Sequence, residues 1–298
     1  MVLHPGQKIH GRYVIRKYLN EGASGIVYSV KDEESSQDLV LKIQHPRFLE
    51  TSATYEGFSA ALHDEVRTAA ELNQVRGLLR PLDKGTHDGR AYYVMPDVQG
   101  CDLESYAETE GTVSSTRTAA IIAQLSRTLG EVHSHGWVHQ DIKLDNALMG
   151  HDGRVWLIDL GLAVPSGAGG EPAGTPGYAA PEILEGEVSS ARSDIFSLGC
   201  VLFRLAIRRF PFDNETGWSF PPAPPFTDDS DRALAALDPT LRALGLWMIE
   251  WNPDDRPQGP QEIEAELRRI LPTGDVPPAP AREPDPVLAY WRLAYRGA

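Results

Sequence analysis

The spacing of apolar residues is mostly strand-like before about residue 100 and mostly helical after it, and that shift decides the class of fold. Residues 12–43 alternate apolar and polar positions between Gly and Asp-Glu punctuation, which predicts three antiparallel strands. Residues 58–76 are charged and Ala-rich, with apolar positions roughly 3.6 apart, and predict a helix. Strand-like pieces follow at 78–85 and 91–95, and Pro96, which has no N–H for a ladder, should end the second. Beyond Gly100 the pattern becomes helical, over Thr116–His135, Ser193–Ile207, 239–251 and 259–270. The expectation is an α+β fold of two lobes, strand-rich before helical, with a ligand held between them.

No internal repeat interrupts this order. The Pro-rich stretch 221–225 reads as a loop, and Pro272–Pro286 as a stiff, exposed linker. After it, Val287, Leu288, Trp291, Ala294 and Tyr295 make an apolar stripe at helical spacing, which docks either on the chain itself or on a partner.

A net charge of −14 argues against nonspecific nucleic-acid binding and against a polybasic membrane anchor. Cys101 and Cys200 lie too far apart in sequence to suggest a disulfide framework or a cysteine-based zinc site. The start, Met-Val-Leu-His-Pro, has no charged-then-apolar leader, and no apolar run approaches the roughly 18 residues of a membrane span. A cytoplasmic location fits these features. Between 211 and 238 six acids face one base, Arg232, so either basic substrates or a plain solvated loop accounts for the charge.

Chemistry concentrates in the run His139-Gln-Asp-Ile-Lys-Leu-Asp-Asn146 and in Asp159-Leu-Gly161. Two acids and an amide so spaced suit Mg²⁺-dependent phosphoryl transfer: Asp141 would orient a hydroxyl nucleophile, while Asn146 and Asp159 hold metal on the nucleotide phosphates. Upstream, Leu19-Asn-Glu-Gly22-Ala-Ser-Gly25-Ile-Val27 lies between two predicted strands, where glycines let backbone N–H groups approach phosphate oxygens. Lys42 is a lone charge in the apolar strand Leu39-Val-Leu-Lys-Ile43, either an edge charge or a phosphate clamp. Its partner would be Glu65 on the following helix, with Glu71 as the alternative acid.

These segments, with Ala180-Pro-Glu182 beyond them, resemble the protein kinase family, and in particular the eukaryotic-like (Hanks-type) serine/threonine kinases of bacteria. The resemblance covers about residues 10–271, divided as an N-lobe 10–95, a hinge 96–100 and a C-lobe 101–271 before the linker and short amphipathic segment of 272–298. It implies ATP and Mg²⁺, with Mn²⁺ as an alternative metal, and protein substrates. Asp141 and Lys143 would act on the acceptor and the γ-phosphate, and Lys42 with Glu65 on the α- and β-phosphates. Asn146 and Asp159 would take the metals. Asn20, Gly22 and Gly25 would form the phosphate turn, with Asn20 in place of the usual first glycine and able to adopt positive φ. Val27, Val40 and Leu148 would line the adenine, Met95 would act as gatekeeper, and the backbone of Pro96 and Val98 would bond the base. Asp102 would reach the ribose or cap a helix, and Cys101 beside it is either an electrophile target or a passive surface residue.

The same resemblance gives structural roles to His139, to Asp194, to a Glu182–Arg256 pair and to Thr175, a serine/threonine-kinase position contacting Asp141 and Lys143. It also makes a zinc reading of His133, His135 and His139 unnecessary. Gln140 stands where many kinases have an arginine that binds a phosphorylated activation loop, so activity should not need that phosphorylation. Asn20, Val40 and Gln140 keep a pseudokinase open as the rival. A small-molecule kinase would lack the Thr175–Glu182 segment and its Arg256 partner.

Overall fold

The computed structural model describes residues 2–22, 25–45, 52–168, 172–212, 226, 232–274, 277–279 and 283–295, with backbone alone for 52–61. The loop 221–225, most of the acidic run 211–238, Ala23, Ser24 and 296–298 lie outside the described residues. The chain divides into two compact units, Met1–Gln74 with Leu79–Val98 and Val75–Leu78 with Gln99–Ala298.

In the first unit β1 (Lys8–Ile9), β2 (Tyr13–Glu21), β3 (Gly25–Asp32), β4 (Asp38–Gln44), β5 (Asp83–His87) and β6 (Arg90–Pro96) form one antiparallel sheet, in the order β1-β2-β3-β4-β6-β5. Side chains alternate across a strand, so each sheet face draws on alternate residues. Ile26, Tyr28, Val30, Leu39, Leu41, Ile43, Tyr92 and Val94 form the core on one face. The opposite face carries Val27, Lys42 and Tyr93 in register across three strands, with Val40 paired to Met95. Helix α1 (Ser52–Glu71) packs on that second face, with Leu62 and Val66 against Tyr93 and Met95.

Helix α1 begins at Ser52 rather than 58 and ends at Glu71 rather than 76. The apolar spacing continues past its end because Val75 and Leu78 are buried, but they are buried in the second unit. There Leu78 bridges Leu157, and the strand expected from 78 starts only at Asp83.

Asp32, nearly fully buried at the end of β3, takes both Arg12 Nε (2.7 Å) and NH2 (2.8 Å), the Ser35 hydroxyl (2.6 Å) and the Glu34 N–H (3.1 Å). The Arg12 hydrogen bond above all, against the opposing pull of burial, holds its carboxyl far below the usual carboxylate range. A depressed carboxyl stabilises the fold above its unfolded pKa of 3.8 and loses that contribution as pH falls below it. Asp32→Asn should therefore lower stability at pH 7 and flatten the acid limb below about pH 4. Urea unfolding measured against pH checks both, and an unchanged acid limb would refute the assignment.

The second unit contains β7 (Gly100–Asp102), α2 (Leu103–Glu110), α3 (Ser115–Ser134), β8 (Trp137–Val138), β9 (Ala147–Gly150), β10 (Val155–Leu157), β11 (Val164–Pro165), α4 (Pro181–Leu184), α5 (Ala191–Ile207), α6 (Arg232–Ala235), α7 (Pro239–Met248), α8 (Pro260–Leu267) and α9 (Pro286–Tyr295). Helix α5 is apolar around most of its circumference because it is buried on most sides, against α3 and α7. Its start is fixed by a capping box in which Ser190 accepts the Arg192 N–H and Ser193 Oγ accepts the Ser190 N–H. Helix α3 carries α5, α8 and α9. Strands β10-β9-β7 make a small antiparallel sheet, and β8 pairs with β11.

The end of the stretch expected as an exposed linker is instead buried. Asp285 and Pro286 are covered, and Ala289, Tyr290 and Trp291 of α9 are each about 2 % exposed. Burial of Tyr290 and Trp291 contributes about 1.5–3 kcal/mol per large apolar side chain toward the cost of ordering this helix. Among the described residues no helix is long and apolar enough to cross a membrane.

Candidate active site

In the first unit the site is built on the sheet face under α1. Lys42 and Glu65 are each 7 % exposed, and Lys42 Nζ lies 3.4 Å from Glu65 Oε2. The other carboxylate oxygen accepts the Tyr93 hydroxyl at 2.8 Å, and Lys42 Nζ stands 5.6 Å from the Tyr93 ring centroid. Tyr93 is a site residue that sequence reasoning missed, although alternation from Lys42 through the β4–β6 pairing places it on the same face. Glu71, the rival acid, is exposed. Val27 pairs with Lys42, and Val40 with Met95, so four of the expected nucleotide contacts share this face. Pro96 closes β6 and Val98 follows it, both half-buried.

The turn before β3 differs from expectation in its cause. Asn20 lies extended within β2, opposite Val27, with its side-chain oxygen accepting the Glu21 N–H at 2.7 Å, so positive φ is not required there. Gly22 donates its N–H to the Gly25 carbonyl at 2.9 Å. A Cβ on Gly25 would sit 2.5 Å from the Ile43 carbonyl oxygen, so close approach of β4 demands that glycine whatever the turn binds.

In the second unit one hydrogen-bond network joins the catalytic-loop residues. Asp141 Oδ1 accepts the Thr175 hydroxyl at 2.6 Å, and Oδ2 accepts Lys143 Nζ at 2.7 Å and Asn146 Nδ2 at 2.8 Å. Lys143 Nζ also donates to Thr175 Oγ1 at 2.9 Å. Asn146 Nδ2 gives a second bond to the Asp141 carbonyl at 2.9 Å, which leaves its oxygen as the atom for a cation. Asp159 follows β10 at the far end of the same hairpin, where Ile158 N–H bonds the Asn146 carbonyl at 2.9 Å. Leu148, half-buried in β9, pairs with Asp102 of β7.

Two residues of this loop hold left-handed backbones, Gln140 at φ 64° and Asp159 at φ 65°. Such conformations cost on the order of 1–3 kcal/mol outside glycine and persist only where neighbours enforce them. For Gln140 the enforcer is Asp194 on α5, fully buried, which accepts the N–H groups of His139 (2.8 Å) and Gln140 (2.9 Å) and His133 Nε2 (2.8 Å). Burial pushes the Asp194 carboxyl up, but the His133 hydrogen bond, the nearby histidine charges and the His139 N–H together bring it below its ordinary value. His139 is fully buried and its Nδ1 accepts the Asp141 N–H at 3.3 Å. His133 and His139 thus organise Asp194 and Asp141, and among the described residues no group of three or more His, Cys, Asp or Glu is gathered as a metal would need. His133 lay inside the expected helix end, but periodicity carries no signal for what its ring would meet.

Asp102 spends both carboxylate oxygens on Ser105, on its N–H at 2.7 Å and its hydroxyl at 3.0 Å, and so caps α2. Burial, and then the Asp102 charge, push the exposed Cys101 thiol up, which disfavours the reactive thiolate. Below the loop Arg256 uses all five guanidinium N–H donors: two on Glu182 (2.7 and 2.9 Å) and three on the carbonyls of Arg192, Glu250 and Trp251. Glu182 itself stands at the start of α4, whose Pro181 supplies the N1 position.

A family model for the protein kinase domain matches residues 13–266. The chain belongs to the protein kinase family, and its strand-rich first unit and helical second unit are the two lobes of that fold. It is 32% identical over 331 aligned positions to the DNA damage-responsive serine/threonine-protein kinase RqkA of Deinococcus radiodurans, covering 100% of this chain and 48% of that protein. It is 30% identical to the serine/threonine-protein kinase PknB of Mycolicibacterium smegmatis, over 92% of this chain and 45% of that one. A probable serine/threonine-protein kinase, pknA2 of Bifidobacterium longum, is 30% identical over 71% of this chain and 28% of its own length. The chain therefore spans about half or less of each of these relatives.

Proposed function

We propose that the chain is a serine/threonine protein kinase that transfers the γ-phosphoryl group of ATP to hydroxyls of protein substrates. The observation that carries this reading is the closed network of Asp141, Lys143, Asn146 and Thr175. Its donors orient the Asp141 carboxylate, and an oriented carboxylate is what accepts the proton of an attacking hydroxyl. That proton passes to Asp141 as the hydroxyl oxygen bonds phosphorus and the bond from phosphorus to the leaving ADP oxygen breaks. Lys143 balances charge on the transferred group. Lys42, held by Glu65 and Tyr93, takes the α- and β-phosphates, and Val27, Val40, Met95, Pro96, Val98 and Leu148 take the adenine.

The Asn146 amide oxygen and the Asp159 carboxylate are hard oxygen donors that suit Mg²⁺ or Mn²⁺. When bound, the metal neutralises charge on the phosphates. The rival, a nucleotide-binding pseudokinase, rests on Asn20, Val40 and Gln140. Against it stands the extended Asn20, whose position in β2 needs no glycine. Transfer of labelled phosphate from ATP to several proteins, basic ones included, tests the reading. No transfer above an Asp159→Asn control across the set would favour the rival.

Activity independent of activation-loop phosphorylation is part of the proposal. From Leu160 to Ala180 the hydroxyls are Ser166, Thr175 and Tyr178. Thr175 is bonded to Asp141 and Lys143, and burial raises the Tyr178 phenol well above its ordinary pKa. Gln140 gives its backbone N–H to Asp194 and has no positive charge with which to bind a phosphate on this segment. Phosphatase treatment should leave the initial rate within about twofold. A tenfold fall, about 1.4 kcal/mol of transition-state stabilisation, would refute it. The six acids against Arg232 between 211 and 238 support basic protein substrates, and the buried Trp291 supports docking of the 287–298 tail on its own chain.

A further inference from the structure

We infer that Gln124 is a positioning residue that ties the C-terminal helix α9 to the hairpin carrying Asn146 and Asp159, so that a seated α9 tunes the affinity of that hairpin for a divalent cation. The inference rests on the metal-binding reading of those two residues. The hairpin is short, four residues in β9 and three in β10, with only the three-residue β7 beside it, and a sheet so small depends on what packs against it. Its open end bears Asn146 and Asp159. At its closed end Gly150 N–H bonds the Arg154 carbonyl and Gly153 N–H bonds the Gly150 carbonyl, each at 2.9 Å.

Gln124 projects from α3 onto that closed end and is 4 % exposed. Its Oε1 accepts the Val155 N–H at 3.0 Å, and its Nε2 donates to the carbonyls of Gly153 (3.2 Å) and Pro286 (3.3 Å). One amide therefore holds the first residue of β10, the turn before it and the first residue of α9. The tail also meets the turn directly: Gly153 has φ +81°, and a Cβ there would stand 2.2 Å from the Asp285 carbonyl oxygen. Asp285, itself 5 % exposed, caps α9 by accepting the Val287 and Leu288 N–H groups at 3.1 Å. Arg117 NH2 donates to the Pro284 carbonyl at 3.0 Å, Arg127 lies 5.2 Å from the Tyr290 ring centroid, and Trp291 Nε1 donates to the Gly274 carbonyl at 2.9 Å. Withdrawal of α9 would remove one of the two acceptors of Gln124 Nε2 and the surface against which the turn is set. Residues outside the immediate ligand shell that orient ligands typically change metal affinity by about 10-fold or more when lost.

The full-length chain and its Gln124→Met, Gln124→Glu and Asp285→Ala variants provide the test. Gln124→Glu keeps the acceptor for Val155 and loses the donations to Gly153 and Pro286, so it separates the Val155 bond from those two and serves if Gln124→Met does not fold, while Asp285→Ala perturbs the tail alone. Hydrogen exchange in the ligand-free protein should quicken over 144–160 in each variant and stay unchanged over β3 and β4. Calorimetric ATP binding at varied Mg²⁺ should show the half-saturating Mg²⁺ concentration raised about 10-fold in Gln124→Met and Asp285→Ala. Exchange and Mg²⁺ requirement both within about twofold of wild type in folded variants would overturn the inference. A wild type that binds Mg²⁺ with ATP but transfers no phosphate overturns only the kinase activity, because neither readout needs transfer. A wild type whose ATP binding ignores Mg²⁺ overturns both.

Discussion

Arg256→Ala should unfold the helical unit, or leave it marginal, at temperatures where the wild type is native. The side chain is fully buried, and its five N–H groups reach Glu182 and three backbone carbonyls, with the Phe196 ring 4.9 Å away. Removing it strands the buried Glu182 carboxylate without its partner and leaves three part-buried carbonyls short of a donor. Breaking a buried pair in this way costs about 3–5 kcal/mol, against a total stability on the order of 5–15 kcal/mol. Arg256→Lys should recover only part of the loss, because three rotatable donors cannot reproduce a planar fork that serves four partners. Urea midpoints for the single and double Glu182 and Arg256 variants would measure the coupling, and additive effects would disprove it.

Asp141→Asn should reduce phosphate transfer by about 10²–10⁴ while leaving ATP binding close to wild type. The asparagine can still accept from Thr175 or Lys143, so the loop keeps its shape, but it cannot take up a proton. The loss should therefore fall on kcat with little change in KM for ATP. An equal fall in nucleotide affinity would mean that Asp141 serves binding, and would remove the basis for its assignment as the proton acceptor.

The parts of the fold that could be read from sequence are those whose side chains face two different environments. Strands β2, β3 and β4 could be read because one sheet face forms the core, while the other is exposed along much of β2 and meets α1 at β4 and β6, and the long helices α3 and α5 carry apolar positions wherever they meet neighbours. Pieces of two to four residues, such as β1, β8, β9 and β11, are too short for any period to register. The catalytic loop is legible because phosphoryl transfer restricts residue types at fixed spacings, which is why Asp141, Lys143, Asn146 and Thr175 were all anticipated and are found in one network. Tyr93, His133 and Gln124 escaped because their work is done by contacts with residues distant in sequence, through side chains that are equally ordinary in a core. Gly25 shows the converse limit: the glycine was noticed, but the close approach that requires it comes from β4.

Because Val75–Leu78 belongs to the second unit, the two lobes cannot be finished in the order in which the ribosome delivers them. Arg76 N–H awaits Glu131 Oε2, 55 residues downstream, and Leu78 awaits Leu157 further still. At a synthesis rate of roughly 5–20 residues per second, the connection between α1 and β5 stays unpaired for several seconds after it emerges. A nascent chain halted after residue 98 would present Val75 and Leu78 to solvent, each 3 % exposed in the finished fold. A fragment cut at that boundary would carry the same sticky segment between α1 and β5, the edge strand of an otherwise complete sheet.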